Sequence, residues 1–223
     1  MKINKTGYYK LNENRDEDIF IGDNINVFLY DEDNFVKNIK IGNNSKVEYY
    51  SYFSKDGNYE KNIVVSGNKS EVKIKSLLLS KDNRLDVKIY GEIKGNSSLI
   101  DTKVLSLAGE NGDINLDGIL KINSGTKGGV GYLNEENIFL GKKSKISGIP
   151  TLLIETNEVS ASHSCSIEKV GDEKLFYLRS RGIDKKDSFH MLISAKIKDL
   201  FRCLDMVDKK LFSNLSTLKK SSF

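Results

Sequence analysis

From residue 36 to residue 168 apolar and polar residues alternate in short runs, the pattern of strands that bury one face. Val72-Lys-Ile-Lys-Ser-Leu77 and Leu85-Asp-Val-Lys-Ile-Tyr90 both carry it. So does Ile114-Asn-Leu-Asp-Gly-Ile-Leu-Lys-Ile122, where Gly118 allows a bend or bulge. Shorter pieces follow at Ile138–Leu140, Lys145–Ser147 and Leu152–Ile154. The breaks are Gly and Asn clusters at Gly42-Asn-Asn44, Gly67-Asn68, Gly95-Asn96 and Gly109-Glu-Asn-Gly112, residue types that reach positive φ at little cost. Pro150 stands just before a strand, where a missing N–H is tolerated. Strands restart roughly every 10–15 residues with no helical period between them. Periodicity leaves two architectures open, an antiparallel sandwich or barrel and a parallel β-helix.

After residue 168 the pattern changes. Asp172 is placed to cap a helix through Leu175-Phe-Tyr-Leu-Arg-Ser-Arg181, and Gly182 suits its C-terminal turn. Asp184, with Asp187 three residues on, opens a second helix, whose Phe189, Leu192, Ile193, Ile197, Leu200, Phe201 and Leu204 share one face. Met206, Leu211, Phe212 and Leu215 suggest a further short helix. Residues 1–34, acidic and Asn-rich with one apolar patch at Val27-Phe-Leu-Tyr30, read as a lead-in segment, either an early strand pair or partly ordered. The expected organisation is a lead-in over 1–34, a β body over 35–168 and a helical region over 169–223.

Composition narrows the classes. At 38% hydrophobic and 30% charged, the chain is neither a disordered tail nor a membrane protein, and it has no apolar run of the ~20 residues that span a bilayer. The start, Met-Lys-Ile-Asn-Lys-Thr-Gly, lacks the apolar stretch of a signal peptide, so a cytoplasmic location is expected. Residues 184–223 hold nine Lys or Arg against five Asp, a solvated helix surface rather than the dense basic face of a nucleic-acid binder. Cys165 and Cys203 form no Cys-x-x-Cys pair, which argues against structural zinc. Gly125-Thr-Lys-Gly-Gly-Val-Gly131 opens no helix and reads as a corner, so no nucleotide is expected on this chain.

The text Leu153-Ile-Glu-Thr-Asn-Glu-Val-Ser-Ala-Ser-His163 precedes Leu175-Phe-Tyr-Leu-Arg-Ser-Arg-Gly-Ile183. This resembles the C-terminal region of SufB and SufD proteins, whose pattern is a strand ending near a histidine, a short link, and a helix reading Leu-Phe-Tyr-Leu-Arg-Ser-Arg-Gly-Ile. The last nine residues match letter for letter. Weaker similarity runs back to about residue 40, and family members are generally longer at the N-terminus. The resemblance implies a mainly β fold, a right-handed parallel β-helix with a C-terminal α-helical cap.

It also implies a non-enzymatic scaffold subunit of SUF iron–sulfur cluster assembly. Such a subunit works with a SufC-type ATPase and a second SufB/SufD-type scaffold, with iron or a transient iron–sulfur cluster as cargo. SufB proteins carry a cysteine on a late β-helix strand and a glutamate directly after the motif histidine. Those positions fall at Glu135 and Ser164, so the chain is more SufD-like there. His163 is the expected metal ligand, Glu135 and Cys165 further cluster or iron candidates. His163 and Cys165 lie two apart, which in a strand puts both on one face with Cβ atoms about 7 Å apart. Imidazole and thiolate are both accepted iron ligands. Tyr177, Arg179, Arg181 and Phe189 are the expected partner-binding residues, combining aromatic area with fixed positive charge. Leu175, Leu178, Phe189 and Ile193 are also suited to seal the open end of a β-helix. Two other readings stand beside this one: a carbohydrate-active enzyme or acyltransferase on a β-helix, and a degenerate relative without cluster chemistry.

Overall fold

The computed structural model describes residues 1–12, 18–31, 34–169 and 172–216. Its strands alternate between two parallel sheets as the chain winds. The first sheet takes β1 (Lys2–Ile3), β3 (Asp18–Ile21), β5 (Asn38–Ile41), β7 (Gly57–Val65), β9 (Arg84–Ile93) and β11 (Asp113–Ile122), then β13 (Lys145–Ser147) and β14 (Thr151–Ile154), both on β11. The second takes β2 (Gly7–Leu11), β4 (Asn26–Asp31), β6 (Lys46–Phe53), β8 (Glu71–Ser80), β10 (Leu99–Ala108), β12 (Gly129–Phe139) and β15 (Val159–Lys169). The result is a parallel β-helix. The segment 1–34, read as a lead-in that is either an early strand pair or partly ordered, supplies β1 to β4, the first coils. Its strands are two to six residues long and embedded in Asn and Asp, too short to show a period of two.

Each coil turns one corner in the same way. The Asn43 N–H donates to the Asp23 carboxylate, Asn68 N–H to the Asn43 side chain, Asn96 N–H to that of Asn68 and Lys127 N–H to that of Asn96, at 2.6–2.9 Å. The next residue is left-handed every time: Asn24, Asn44, Lys69, Ser97 and Gly128, with φ between 51° and 62°. Inside the corner a serine ladder runs in parallel, Ser45 N–H donating to Ser70 Oγ and Ser70 N–H to Ser98 Oγ. These ladders satisfy backbone groups that no strand neighbour reaches. The rungs lie 20, 25, 28 and 31 residues apart, because successive coils lengthen.

Between the sheets lies an aliphatic core built from the inward residues, such as Val27, Val72, Ile74, Leu85, Val87 and Ile114. A buried ion pair interrupts it. Lys61 Nζ, 2% exposed, lies 2.8 Å from Asp31 Oδ2 and donates to the carbonyls of Asn34 and Val36. Tyr49 Oη donates to the same carboxylate at 2.8 Å and the Phe35 N–H at 3.0 Å. The network ties the connection between β4 and β5 to the strands.

The helices are α1 (Asp172–Ser180), α2 (Lys185–Leu200), a 3₁₀ turn at Arg202–Met206, and α3 (Lys209–Ser216). Asp184 caps α2 as expected, its carboxylate accepting the Asp187 N–H at 2.9 Å. The side chain of Asp172 lies outside the described residues, as does the tail beyond residue 216. The helical layer does not seal the end of the solenoid. Ile193, Ile197 and Phe201 pack on Leu77, Leu105 and Ile138, on the outer face of the second sheet. That face therefore buries both sides of its strands, which explains why alternation in β8 gives way to Leu77-Leu78-Leu79.

Candidate functional site

The final layer is β12 beside β15, with Leu133 opposite His163 and Glu135 opposite Cys165. Alternation sends Leu133, Glu135 and Asn137 toward the space between the sheets. Gly118 of β11 makes the room: a methyl group there would lie 2.2 Å from Glu135 Oε1 and 3.1 Å from a Leu133 methyl. Glu135 is 4% exposed, and among the described residues its Oε1 has no hydrogen-bond partner. Burial, with a smaller contribution from the Asp117 charge, pushes its carboxyl up to about 7. Asn137 is 5% exposed, its Oδ1 likewise without a partner, while its Nδ2 donates to Cys165 Sγ at 3.4 Å.

The same inward row of β15 starts as core, with Val159 and Ala161 packed on the aliphatic cluster, and then opens. His163, Cys165 and Ile167 are exposed. The cause is a break in the facing sheet. β13 pairs with Asp113–Asn115 and β14 with Ile119–Ile122, leaving residues 116–118 of β11 without a strand beyond them. Gly148 crosses this break at φ 139°, where an added methyl would lie 1.7 Å from the Leu116 carbonyl oxygen. The window therefore opens opposite the Glu135–Cys165 pair. Around it the end of the solenoid exposes Ile149, Leu153, Ile154 and Ile167, and among the described residues no strand pairs with the outer edge of β15.

Among the expected ligands, the structure brings Glu135 and Cys165 into register and keeps His163 on the same row. Among the described residues, no three His, Cys, Asp or Glu side chains lie close enough to hold a metal ion. Asn137 escaped the sequence reading. The signal was there, since two polar residues, 135 and 137, occupy consecutive inward positions of one strand. The Gly-rich stretch expected to be a corner is one only in part, for Gly129 and Gly131 already lie in β12.

The partner-binding candidates divide. Tyr177, Arg179 and Arg181 are exposed on or just beyond α1, with the Arg181 guanidinium 5.4 Å from the centre of the Tyr177 ring. Phe176, 72% exposed, extends that patch and was not singled out from sequence. Leu175 anchors the helix, and Gly182, φ 85°, ends it with the Ile183 N–H returning to the Leu178 carbonyl. Phe189 is different: it is half-buried and packs into the helix–sheet cluster, so it supports the layer rather than presenting a free contact. Lys196 of α2 ties that layer to the final coil by bridging Glu136 and Glu168. Cys203 is half-buried in the same cluster, and none of the described helices is long and apolar enough to cross a membrane.

Residues 34–196 match the family model described as SUF system FeS cluster assembly, SufBD core domain. The iron–sulfur cluster assembly protein SufD of Escherichia coli is 26% identical over 143 residues, 63% of this chain and 33% of that protein. A SufBD family protein of Synechocystis is 25% identical over 170 residues, covering 75% of this chain and 30% of its own length. A second Synechocystis SufBD family protein is 39% identical over 59 residues, 26% of this chain and 13% of its own length. The chain thus spans about a third of the longer-matching relatives. With the family model covering most of a solenoid whose helical layer follows β15, the chain belongs to the SufBD family of the SUF iron–sulfur cluster assembly system.

Proposed function

We propose that this chain is a non-enzymatic scaffold subunit of cytoplasmic iron–sulfur cluster assembly. The observation that carries the reading is the open final coil, where a window in one sheet exposes Cys165 and His163 beside the buried Glu135. Iron or a transient cluster is the cargo. With one thiol at the window, a cluster there needs further ligands from a partner chain, since clusters are held mainly by thiolates. A second SufB/SufD-type subunit supplies them by pairing along the unpaired β15 edge and the apolar rim formed by Ile149, Leu153, Ile154 and Ile167.

A SufC-type ATPase docks at the other exposed patch, Phe176, Tyr177, Arg179 and Arg181 on and after α1. Closure of the ATPases on ATP moves the paired scaffolds and opens the site between them. Co-expression of the chain with the SUF ATPase of its host, followed by size-exclusion chromatography with light scattering, tests the docking. Stable co-elution is expected, and Tyr177→Asp with Arg179→Glu should abolish it while the circular dichroism of the β-helix is unchanged. No association by a folded wild-type chain would overturn the reading.

A further inference from the structure

The two orphaned oxygens beside Cys165 have a chemistry of their own. Glu135 Oε1 and Asn137 Oδ1 are buried acceptors on consecutive inward positions of β12. An acceptor withdrawn from water without a partner is costly, more so if charged. Two of them in one place call for a ligand that supplies positive charge. The sulfur completes the set: Cys165 stands directly opposite Glu135, and Asn137 reaches it diagonally with an N–H at 3.4 Å. His163 is two register pairs away, opposite Leu133, and among the described residues forms no three-ligand group with acidic and thiol side chains. The further polar group that reaches the sulfur is the Asn137 amide.

We infer that Glu135, Asn137 and Cys165 form a mixed oxygen–sulfur pocket for a single divalent first-row transition metal ion. The inference rests on the scaffold reading of this site and names what this chain holds by itself: one ion rather than a cluster. Carboxylate, amide oxygen and one thiolate suit a borderline cation such as ferrous iron, cobalt or zinc. Magnesium and calcium avoid sulfur, and a cluster needs more thiolates. Side chains two residues apart on a strand start about 7 Å apart, a span that one ion with bonds of about 2 Å closes. Gly118 is part of the pocket, because any side chain there would occupy the place of the Glu135 carboxyl. Asn137 sets the selectivity by positioning the sulfur and offering its oxygen.

Anaerobic titration of the full chain with cobalt(II), and separately with ferrous iron, tests this without any partner. One ion per chain is expected, with a thiolate-to-cobalt charge-transfer band in the near ultraviolet. Cys165→Ser, at an exposed position that leaves the fold intact, should remove the band. Asn137→Leu should weaken binding about ten- to a hundredfold. Binding without the band, affinity unchanged in Asn137→Leu, or no binding because the pocket simply holds water would each overturn the inference. ATPase co-elution reads out a different surface, so failure of one result is distinguishable from failure of the other.

Discussion

Replacing Asp31 with alanine should destabilise the β-helix by about 3–5 kcal/mol, the range for removing one partner of a buried ion pair. Lys61 is 2% exposed and its ammonium is held by Asp31 and two carbonyls, so the variant leaves a buried cation short of its counter-charge. The Tyr49 hydroxyl and the Phe35 N–H lose their acceptor as well. Burial already holds the Lys61 ammonium below its ordinary value of 10.5, with Asp31 opposing that shift. Without Asp31 the depression deepens, and the unfolded chain then binds more protons than the folded one. Stability of the variant should therefore rise as pH climbs toward 10.5, the reverse of a protein losing a salt bridge. Asp31→Leu combined with Lys61→Met should recover only part of the loss, because it removes both charges and keeps the volume but leaves the Tyr49 hydroxyl and the Phe35 N–H without their acceptor. Urea unfolding at several pH values measures all three. A loss below about 1 kcal/mol in Asp31→Ala would contradict the buried pair.

Gly95→Ala should be the second severe change. The added methyl would lie 1.7 Å from the Gly67 carbonyl oxygen and 2.3 Å from its carbon, backbone atoms that no rotamer change can move. Coil spacing at this corner is fixed by Gly95 N–H to the Val65 carbonyl and by the Asn96 rung at 2.7 Å. The corner has to part, at a cost of about 1–3 kcal/mol or more, with loss of the ladder above it. Gly125→Ala is the control. It meets nothing within 4 Å, and only its φ of 80° penalises a side chain, by about 1–2 kcal/mol. Thermal unfolding of the two variants should rank Gly95→Ala clearly lower. Equal midpoints would mean that the stacked corners are not what holds the coils in register.

Much of this architecture was legible before any coordinates. Alternation located β8, β9 and β11, Lys145–Ser147 was found whole, and Asp184 marked the start of α2. Three of the four Gly and Asn clusters are the laddered corners, each with its left-handed residue in or just after it, at Asn44, Lys69 and Ser97. The solenoid itself was hidden because its coils grow from 20 to 31 residues, so no fixed repeat exists to be seen. The resemblance to SufB and SufD proteins supplied what periodicity could not. Lys61 is not marked in the sequence, for nothing in the local pattern distinguishes a lysine whose acid partner lies thirty residues earlier. The run Leu77-Leu78-Leu79 carries a signal of two-sided burial that the expectation of helices sealing the end did not use. At the site, His163, Glu135 and Cys165 were nameable from sequence. The window was not, because it depends on a break in the opposite sheet between Ser147 and Thr151.

Hydrogen exchange on the Val159–Lys169 strand shows whether the final coil is the edge where a second scaffold subunit pairs. In the isolated chain, the β15 amides that do not donate to β12 should exchange freely, because that edge has no neighbour. In a complex purified with the SUF subunits of the host, those same amides should become protected, while amides of the opposite edge strand, Gly7–Leu11, stay as they were. Unchanged exchange along β15 in a complex that does contain a second scaffold would contradict the account.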